Sequence, residues 1–513
     1  MITHLHTALD VARWLQASGA SSVSSDSRQL PAGGAFLAWP GAAQDSRRYV
    51  ANALEQGAVA CVVELDGVEP YGFNSDRVAA VAGLKALSGE IASLFYREPS
   101  RDLDVIAITG TNGKTSTAWW TAGWLEALGT SSAMVGTLGM GRSGGPLEPT
   151  GLTTPDPARL HAGLRAYADA GVKVCAMEVS SIGLEEARLA GTTVHTAVFT
   201  NFTQDHLDYH KTMDAYWAAK RRLFDWPALR VAVVNVDDEK GHALAEELTD
   251  RQRAGVPLDL WTVSVQGRPA RLHVPEWTLT DSGLRFTVAE ADGSAGGTAQ
   301  WQIKLPLVGD YNLYNLLCAL AVLRSRGVSL ADAVAASGAL LAVPGRMQPA
   351  WPEASAEGLP LVLVDYAHTP DALEKALGAL QPLALARGGR LWCVVGCGGN
   401  RDPGKRPLMA QVAEREAAAC VFTSDNPRNE DPMAILAQMQ AGLAEPAQAT
   451  VVPDRAAAIA HVVGTAGDRD VVLLAGKGHE PYQEIGGVRQ AFSDVAHAQA
   501  ALQDRWARKG VVA

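Results

Sequence analysis

The sequence predicts an α/β protein of three domains. Short apolar runs, typical of buried strands, alternate with longer helical patterns in three successive parts of the chain, residues 1–98, 99–338 and 339–513. Strands that alternate with helices in this way form parallel sheets with crossover helices. A chain of 513 residues is also long enough for about three domains.

The first domain, residues 1–98, has short strands at 35–38 and 58–63 between helical patterns. It ends in an amphipathic stretch, residues 78–96, which stops before Pro99 and is predicted to be a long helix. These elements make up the smallest of the three expected domains.

The second domain, residues 99–338, begins with a buried strand at 105–109 and a glycine-rich loop. Its further apolar runs alternate with helices and predict a parallel sheet, with strands at 172–177, 197–200 and 231–235. From about residue 258 the pattern changes to alternating apolar and polar side chains, typical of half-buried antiparallel strands. These strands are predicted at 258–265, 271–279, 284–288 and 301–307.

The third domain, residues 339–513, returns to buried strands separated by helices, which predicts a doubly wound, Rossmann-like domain. Its strands are predicted at 361–365, 391–395, 420–423 and 471–474. Polar residues at the carboxyl ends of such strands are candidates for ligand binding.

Composition restricts the function classes. The chain is 47% hydrophobic, has a net charge of −11 and shows no basic face, so nucleic acid and membranes are not expected partners. The N-terminal residues lack the basic and apolar regions of a signal peptide, and no apolar run is long enough to span a bilayer. The six cysteines form no CxxC pair and are expected to be buried thiols. We expect a cytoplasmic protein that is a monomer.

The strongest single signal is the loop Gly-Thr-Asn-Gly-Lys-Thr at residues 110–115, after the strand at 105–109. An apolar strand that leads through glycines into a helix directs backbone N–H groups and the helix dipole toward phosphate. Lys114 would reach the β- and γ-phosphates of a nucleotide, and the Thr115 hydroxyl would bind Mg²⁺. Ile108 stands where the common P-loop has its first glycine, so this is a shortened variant. The alternative is a tight turn without phosphate, and the loop alone does not indicate the reaction.

This loop resembles that of the Mur ligases and the folylpolyglutamate synthetases, and further motifs along nearly the whole chain are similar to those of Mur ligases, in the same order. They are Thr153-Thr-Pro155, Glu178-Val-Ser-Ser181, Asn201-Phe-Thr-Gln-Asp-His-Leu-Asp208, Asn312-x-x-Asn315, Pro344-Gly-Arg-Met347, Asp365-Tyr-Ala-His-Thr-Pro370, Gly396-x-Gly-Gly-Asn-Arg401, Asp425-Asn-Pro-Arg428 and Gly476-Lys-Gly-His-Glu480. The resemblance implies a UDP-sugar-binding domain at 1–98, a central P-loop-type ATPase domain at 99–338 and an amino-acid-binding domain at 339–513. It also implies the reaction, which is ATP-dependent addition of meso-diaminopimelate to UDP-N-acetylmuramoyl-L-alanyl-D-glutamate in peptidoglycan precursor synthesis.

Amide formation from a carboxylate needs activation, because a carboxylate is a poor electrophile. Phosphorylation by ATP gives an acyl phosphate that an amine can attack, so the site must gather Mg²⁺ and cations around two anions. Glu178, at the end of a buried strand, is a natural Mg²⁺ ligand beside Thr115. The resemblance adds His206 as a ligand of a second Mg²⁺ and Lys220, as a carbamate, at the same site. With Lys114, the residues Glu178, His206 and Lys220 are the expected catalytic groups; a loop histidine and a surface lysine are the alternatives for the last two.

The expected ATP-binding residues extend beyond the loop. Asn312 and Asn315 lie three residues apart on a predicted helix and share a face, and the resemblance places them near the adenine. Arg346, Asp365 and His368 resemble groups that bind ATP when the third domain closes, and an inter-domain salt bridge is the alternative. The full set is Gly110, Thr111, Asn112, Gly113, Lys114, Thr115, Ser116, Asn312, Asn315, Arg346, Asp365 and His368.

The resemblance assigns the UDP-muramoyl dipeptide to residues of the first two domains. Ser27 would bond the nucleotide, and Arg188 would offer a forked cation to a phosphate or carboxylate. The sequence departs from the family pattern at residues 42–44, at Ile182, where histidine is usual, and at Glu186, where glutamine is usual. A carboxylate at this last position would repel an anionic substrate unless it binds Mg²⁺, accepts an amide N–H or pairs with Arg188. The full set is Ser25, Ser27, Ala42, Ala43, Gln44, Thr153, Thr154, Ser180, Glu186 and Arg188.

The third substrate is indicated by one arginine. Diaminopimelate differs from lysine by a carboxylate on its distal carbon, so a selective site should offer an arginine to that carboxylate. Arg428 does so, whereas the lysine-adding members of the family lack this arginine. The alternative is a plain β-turn after the strand, and the two interpretations are compatible. The resemblance assigns Arg401 to a carboxylate and Gly476 and Glu480 to the distal ammonium. The full set is Arg401, Asp425, Asn426, Pro427, Arg428, Gly476 and Glu480.

Two other functions stay open. A folylpolyglutamate synthetase-like ligase would share the phosphate loop and the closing domain, but the UDP-pocket domain and the motif at 425–428 disfavour it. A non-catalytic scaffold would bind ATP without releasing phosphate. Retention of Lys114, Glu178, His206 and Lys220 disfavours the scaffold.

Overall fold

The computed structural model describes residues 2–41, 44–280, 283–291, 299–350 and 358–510. Its strands are β1 (Thr3–His4), β2 (Val23–Ser24), β3 (Ala35–Ala38), β4 (Ala60–Glu64), β5 (Val78–Val81), β6 (Asp104–Thr109), β7 (Ser132–Gly136), β8 (Gly139–Arg142), β9 (Val174–Glu178), β10 (Thr196–Phe199), β11 (Val231–Asn235), β12 (Asp259–Ser264), β13 (Leu272–Thr280), β14 (Gly283–Glu290), β15 (Ala299–Leu305), β16 (Gln348–Pro349), β17 (Leu361–Asp365), β18 (Leu391–Val395), β19 (Ala419–Phe422), β20 (Thr450–Val451), β21 (Val471–Ala475), β22 (Tyr482–Ile485) and β23 (Val488–Ala491).

Helices alternate with these strands along most of the chain, which confirms the predicted α/β class. The helices are α1 (Ala8–Ala17), α2 (Val50–Glu55), α3 (Leu84–Phe95), α4 (Lys114–Ala127), α5 (Pro157–Asp169), α6 (Ser181–Glu185), α7 (Leu207–His210), α8 (Met213–Arg221), α9 (Glu239–Arg253), α10 (Tyr311–Ser325), α11 (Leu330–Ala336), α12 (Pro370–Arg387), α13 (Lys405–Glu416), α14 (Pro432–Gln440), α15 (Arg455–Thr465) and α16 (Asp494–Gly510). No helix within the described ranges is long and apolar enough to cross a membrane.

The chain divides into two compact units. The first unit comprises Met1–His273, Glu290–Thr298 and Tyr314–Ala339, and the second comprises Val274–Ala289, Ala299–Leu313 and Leu340–Ala513. The three domains expected at residues 1–98, 99–338 and 339–513 stay a prediction.

The first unit contains a small parallel sheet in the order β1-β5-β4-β3-β2. Residues 78–81 form its buried strand β5, and α3 begins only at Leu84, so the prediction of one helix over 78–96 is wrong. The run Val-Ala-Ala-Val is hydrogen-bonded on both sides, by β1 and β4, and these tertiary contacts outweigh its helical pattern. Gly83, at φ 71°, then lets the chain turn into the helix.

A second, ten-stranded sheet has the order β15-β14-β13-β12-β11-β10-β6-β9-β7-β8. From β12 to β8, the pairing of β7 with β8 is antiparallel and the other described pairings are parallel. The register pairs Ile108 with Glu178 and Thr109 with Phe199, so the carboxyl ends of β6, β9 and β10 meet at one edge. Strand β12 is parallel to β11, contrary to the antiparallel arrangement predicted for 258–265. Alternation of apolar and polar side chains reports burial on one face, and it does not report strand direction.

The second unit contains a sheet in the order β16-β17-β21-β18-β19-β20, parallel except for β16. Successive residues of its central strands point to two separate cores. Leu363 and Leu473 enter one core, and Val364 and Leu474 enter the other. Burial on both faces confirms the predicted doubly wound architecture. The six cysteines are free thiols, of which all but Cys420 are buried.

Candidate active site

The glycine-rich loop joins β6 to α4 and has little room for side chains. Gly110 (φ 147°) and Gly113 (φ 81°) adopt backbone conformations that other residues rarely take. A Cβ at Gly110 would lie 1.9 Å from Thr200 Oγ1, and one at Gly113 would lie 2.1 Å from Asn315 Oδ1. The N–H of Asn112 donates to Asn201 Oδ1 over 2.9 Å, which ties the loop to the end of β10. The first turn of α4, whose N–H groups have no acceptor within the helix, follows directly.

Two lysine side chains converge on this loop. Lys114 Nζ donates to Gly110 O over 2.9 Å and to Thr111 O over 2.8 Å. Lys220, on α8, is only 1% exposed, and its Nζ donates to the same Gly110 O over 2.7 Å. Burial, followed by the nearby charge of Lys114, holds the pKa of Lys220 well below its ordinary value, against the opposing effect of Asp205. Lys220 therefore lies beside the phosphate loop, and its role at a Mg²⁺ site and its carbamylation stay predictions.

Glu178 lies at the end of β9 and is 1% exposed. Its Oε2 accepts hydrogen bonds from Thr115 Oγ1 at 2.9 Å and from Thr137 Oγ1 at 3.1 Å, and its Oε1 accepts one from the Thr137 N–H at 2.8 Å. Gly136 makes room for this carboxylate, since a Cβ there would lie 2.1 Å from Oε1. A buried carboxylate is thus held rigidly against the first helical turn after the loop.

His206 lies nearer to solvent than the other predicted catalytic residues. Its side chain is 42% exposed, and its Nε2 lies 3.4 Å from Asp205 Oδ2. Its ring centre lies 6.0 Å from that of Tyr216, whose hydroxyl is 3.2 Å from Thr111 Oγ1. Within the described ranges, no three His, Cys, Asp or Glu side chains are grouped so that they could hold a metal ion. The second Mg²⁺ site at His206 stays a prediction.

The residues predicted to hold the muramoyl dipeptide adjoin Glu178. Thr154, which is fully buried, donates through Oγ1 to Glu178 O over 3.1 Å and accepts the Ser180 N–H over 3.0 Å. Arg188 Nη1 donates to Thr154 O over 3.0 Å. Thr153 Oγ1 lies 3.1 Å from Thr137 Oγ1. The structure thus brings Thr153, Thr154, Ser180 and Arg188 together at the carboxyl edge of the sheet.

Glu186, a departure from the family pattern, has partners that the sequence did not indicate. Its Oε1 accepts from the Tyr209 hydroxyl over 3.2 Å, and its Oε2 lies 3.7 Å from Lys85 Nζ. From the sequence, this carboxylate could be accommodated by Mg²⁺, by an amide N–H or by pairing with Arg188. The ion pairs that the structure describes for it do not include one with Arg188. Lys85, from α3, supplies the compensating charge instead.

The candidate UDP residues lie around the ends of β2 and β3. Ser25 and Ser27 are half-buried, and Ser27 begins a short 3₁₀ helix capped by Asp26. Gln44 Oε1 accepts from the Tyr49 hydroxyl over 2.8 Å. Ala42 and Ala43 lie outside the described residues.

The predicted adenine-side residues lie on α10, and both side chains are buried. Asn315 Oδ1 accepts from Thr117 Oγ1 on α4 over 3.5 Å. Asn312 Nδ2 donates to Val308 O over 2.7 Å, which fixes the chain just before the helix.

In the second unit, Arg346, Asp365 and His368 lie close together around the end of β17. Asp365 accepts the N–H groups of Met347 at 2.8 Å and Ala367 at 2.9 Å, and burial raises its pKa against the opposing charge of Arg346. The Arg346 guanidinium lies 4.9 Å from the centre of the Tyr366 ring. His368 Nδ1 is 2.7 Å from Tyr366 O, and burial lowers the pKa of this histidine.

The loop at residues 425–428 follows β19 and is braced by the residues predicted to share its function. Asn426 is 2% exposed, and its Nδ2 donates to Glu480 Oε2 over 2.7 Å. Arg428 has φ 52°, and its Nη1 donates to Gly399 O over 2.7 Å. A Cβ at Gly398 would lie 2.9 Å from Arg428 Nη1 and 3.8 Å from Arg401 Cγ, so both arginines border the same glycine.

The loop at residues 476–480 completes this cluster. Gly476 has φ 112°, and a Cβ there would lie 2.6 Å from Asp425 Oδ2. Lys477 is fully buried, and its Nζ donates to Asn426 Oδ1 over 2.9 Å and to Glu480 Oε2 over 3.0 Å. Pro427 belongs to a turn in which its carbonyl accepts the N–H of Glu430. The loops at residues 425–428 and 476–480 are therefore connected by hydrogen bonds, and the β-turn that the alternative interpretation places at 425–428 stays a prediction.

Comparisons with known proteins identify the family. Residues 108–323 match the Mur ligase middle domain, and residues 345–478 match the Mur ligase, glutamate ligase domain. A UDP-N-acetylmuramoyl-L-alanyl-D-glutamate–2,6-diaminopimelate ligase of Acidovorax sp. (strain JS42) is 53% identical and covers 100% of this chain and 99% of its own. The chain belongs to the Mur ligase family. As a Mur ligase it is an ATP-dependent enzyme that forms amide bonds, which confirms the enzyme class predicted from the sequence.

Other Mur ligases and one related family extend the comparison. A protein of the same name from Janthinobacterium sp. (strain Marseille) is 45% identical over 98% of both chains. A solved structure of a ligase of this name is 33% identical, has a TM-score of 0.66 and covers 95% of both chains. A Mycobacterium tuberculosis folylpolyglutamate synthase complexed with ADP and AMPPCP shares the fold at 21% identity and a TM-score of 0.57, but covers only 80% of this Mur ligase.

Two residues of the site in this Mur ligase were not assigned from the sequence. Thr137 donates twice to Glu178, and the only signal for it was its position just after the apolar strand β7. Lys477 stands inside the motif Gly476–Glu480, yet its burial between Asn426 and Glu480 is a tertiary contact that the motif does not reveal.

Proposed function

We propose that this Mur ligase adds meso-diaminopimelate to the D-glutamyl carboxylate of UDP-N-acetylmuramoyl-L-alanyl-D-glutamate, with ATP as the activating substrate. Relatives that cover nearly the whole chain at 45–53% identity are named for this reaction. The observation that carries the assignment is the cluster around residues 425–428, in which Arg401 and Arg428 border Gly398 and Glu480 bonds Asn426. Diaminopimelate carries two carboxylates and a distal ammonium, and this set of charges is complementary to it.

The phosphate loop and its lysines support ATP-dependent activation of the carboxylate. The first turn of α4 offers N–H groups and a positive dipole end to the phosphates. When ATP binds, Lys114 gives up its hydrogen bonds to two backbone carbonyls and bonds phosphate oxygens instead. Its charge then neutralises the phosphoryl group that is transferred. Transfer of the γ-phosphoryl group to the carboxylate leaves ADP and an acyl phosphate. The amine of the third substrate then attacks the acyl carbon, the C–O bond to phosphate breaks, and phosphate and a proton are released.

Thr115 and Glu178 fit a magnesium ion. Their oxygens are 2.9 Å apart at the edge of the phosphate loop, and Mg²⁺ in nucleotide sites is held by one or two such protein oxygens together with phosphates and water. A bound Mg²⁺ would supply charge neutralisation between the phosphates and the carboxylate. Thr137 keeps the Glu178 carboxylate turned toward Thr115.

Lys220 is proposed to be carbamylated in the working enzyme. Its buried Nζ has a depressed pKa, which favours the neutral amine that reacts with CO₂. The amine nitrogen forms a bond to the carbon of CO₂, and one N–H proton is released to water. The carbamate places an anionic oxygen ligand beside Gly110 in place of the neutral amine.

A phosphate-release assay tests the function. The protein is given ATP, Mg²⁺ and the UDP-muramoyl dipeptide, with diaminopimelate, lysine or no amino acid, and in a parallel reaction folate with glutamate. We expect release only with diaminopimelate. Release with folate and glutamate would support the folylpolyglutamate synthetase alternative, and ATP binding without release in any mixture would support the scaffold.

We also propose a cytoplasmic location, where ATP is available and where the six free thiols stay reduced.

A further inference from the structure

A fully buried ion pair lies behind the predicted amino-acid loops. Arg455 is the first residue of α15, and Asp494 is the first residue of α16. Both side chains are 0% exposed. Arg455 Nε donates to Asp494 Oδ1 over 2.7 Å, and Nη2 donates to Oδ2 over 2.6 Å, which is the two-pronged geometry of a strong pair.

The same guanidinium also binds two backbone carbonyls. Nη2 donates to Ala475 O over 3.0 Å, and Nη1 donates to Ser424 O over 3.4 Å. Ser424 directly precedes Asp425, and Ala475 directly precedes Gly476. One side chain thus holds the peptide groups that lead into both loops, at 425–428 and at 476–480.

Stability alone does not account for this arrangement. A buried ion pair gains little over well-packed apolar residues of the same volume, because removing two charges from water is costly. Arg455 instead links Asp494 to two separate strand ends, β19 and β21, and only a planar fork of donors can reach all three acceptors. A lysine at this position could bond one or two of them.

The distance between the two loops is critical for the site. A Cβ at Gly476 would lie 2.6 Å from Asp425 Oδ2, so the loops approach as closely as a glycine permits. Asn426 Nδ2 and Glu480 Oε2 bond across the same gap over 2.7 Å. A shift of either strand end by a few tenths of an ångström would change the spacing of the groups that face the amino acid.

We propose that Arg455 and Asp494 form a positioning pair for the amino-acid site, which sets the spacing of the loops at 425–428 and 476–480 without touching the substrate. The inference rests on the proposed function, in which these loops bind diaminopimelate. The pair then governs the KM for the amino acid, while ATP and the UDP-muramoyl dipeptide bind through other residues.

The test uses the full-length enzyme with three variants. The double variant Arg455→Met/Asp494→Leu replaces both charged side chains with apolar ones, and Arg455→Lys keeps the charge but loses the planar fork of donors. The control is Arg505→Met, because Arg505 Nη1 also donates to a backbone carbonyl, Val463 O, over 2.5 Å, and Nη2 donates to Asp468 over 2.7 Å, at the amino end of β21. Thermal melting and the KM of each of the three substrates are measured for every variant.

We expect the KM for diaminopimelate to rise roughly ten- to a hundredfold in the double variant, equivalent to losing one or two charge-assisted hydrogen bonds. Arg455→Lys should recover part of this loss, and the KM for ATP and for the UDP-muramoyl dipeptide should stay near wild type. An unchanged KM for diaminopimelate in the folded double variant, an equal rise in Arg505→Met, or a parallel rise for all three substrates would overturn the proposal. If the double variant does not fold, the KM for diaminopimelate of Arg455→Lys is compared with that of wild type. An unchanged value in Arg455→Lys would then overturn the proposal.

The wild-type enzyme separates this inference from the proposed function. Failure of wild type to ligate diaminopimelate would contradict both. Ligation by wild type, together with variants that keep its KM, would contradict the positioning role alone.

Discussion

Replacing Arg428 by alanine is the most direct perturbation of the proposed selectivity. The guanidinium is half-buried, and one described hydrogen bond, from Nη1 to Gly399 O, holds it in place over 2.7 Å. A guanidinium has five N–H donors in a planar fork, so this bond leaves a pair suited to a carboxylate. Alanine keeps the Cβ at φ 52°, so the backbone strain is the same in both proteins and the comparison isolates the side chain.

The expected loss follows from the burial of this arginine. Truncating one partner of a buried charge pair costs ~2–5 kcal/mol, and partial exposure places Arg428 at the lower end, ~2–3 kcal/mol. At about 1.4 kcal/mol for each factor of ten, kcat/KM for diaminopimelate should fall roughly 30- to 150-fold. The KM for ATP should not change, and lysine should stay a poor substrate, because no new pocket is formed.

The assay is phosphate release at varied diaminopimelate, with lysine in parallel. Arg390→Ala is the matched control, since the Arg390 side chain is 61% exposed, lies 3.8 Å from Asp470 and stands just before β18, at the opposite end of the strand from these loops. This control should retain wild-type kinetics. Near-normal use of diaminopimelate by Arg428→Ala, or equal use of lysine and diaminopimelate by wild type, would refute the role given to Arg428.

Three further predictions concern the first unit. Lys114→Ala should lower turnover at least roughly a hundredfold, about 3 kcal/mol of transition-state stabilisation, at an unchanged melting temperature; near-normal turnover in the folded variant would contradict the phosphate-loop assignment. Lys220→Ala should be nearly inactive and insensitive to bicarbonate but partly restored by short-chain carboxylates, and ¹³C NMR of wild type in labelled bicarbonate should show a carbamate carbon; an unmodified ammonium in the active, Mg²⁺-bound enzyme would rule this out. Burial lowers the pKa of His161 from 6.5 to about 4, so between these values the unfolded chain binds more protons than the folded one. The free energy of unfolding should therefore fall as the pH drops from about 6.5 toward 4, by up to ~1.4 kcal/mol per pH unit. Urea denaturation of His161→Gln should show a smaller fall than wild type, and an equal fall would count against this origin.

Much of the candidate site could be predicted because it lies at strand ends in local patterns. Lys114 and Thr115 follow an apolar run and two glycines, and Glu178 closes another apolar run. Parallel strands bring their carboxyl ends to one edge, so these residues were expected to meet, and Thr115 does contact Glu178.

The remaining features depend on contacts between distant parts of the chain. Thr137 is 41 residues from Glu178, Lys220 is 110 residues from Gly110, and no local periodicity connects either pair. The prediction of a helix at residues 78–81 was wrong for a related reason. A short apolar run is compatible with a helix or a buried strand until its neighbours in the fold are known. The ion pair between Lys85 and Glu186 could not be predicted either, because the two residues belong to elements that are far apart in the sequence.

The hairpin β22–β23 is hydrogen-bonded to the backbone of Arg428, the residue proposed to select the third substrate. The N–H of Arg428 donates to Glu484 O over 2.9 Å, and Arg428 O accepts the N–H of Gly486 over 2.6 Å. The hairpin therefore fixes the backbone of this arginine. The hairpin turn consists of Gly486 and Gly487, both at positive φ, and all four residues of β23 are exposed. Mutations there meet few packing constraints, yet each one that alters the twist of the hairpin re-aims Arg428. Laboratory evolution toward other diamino acids is therefore best started in this solvent-facing ribbon.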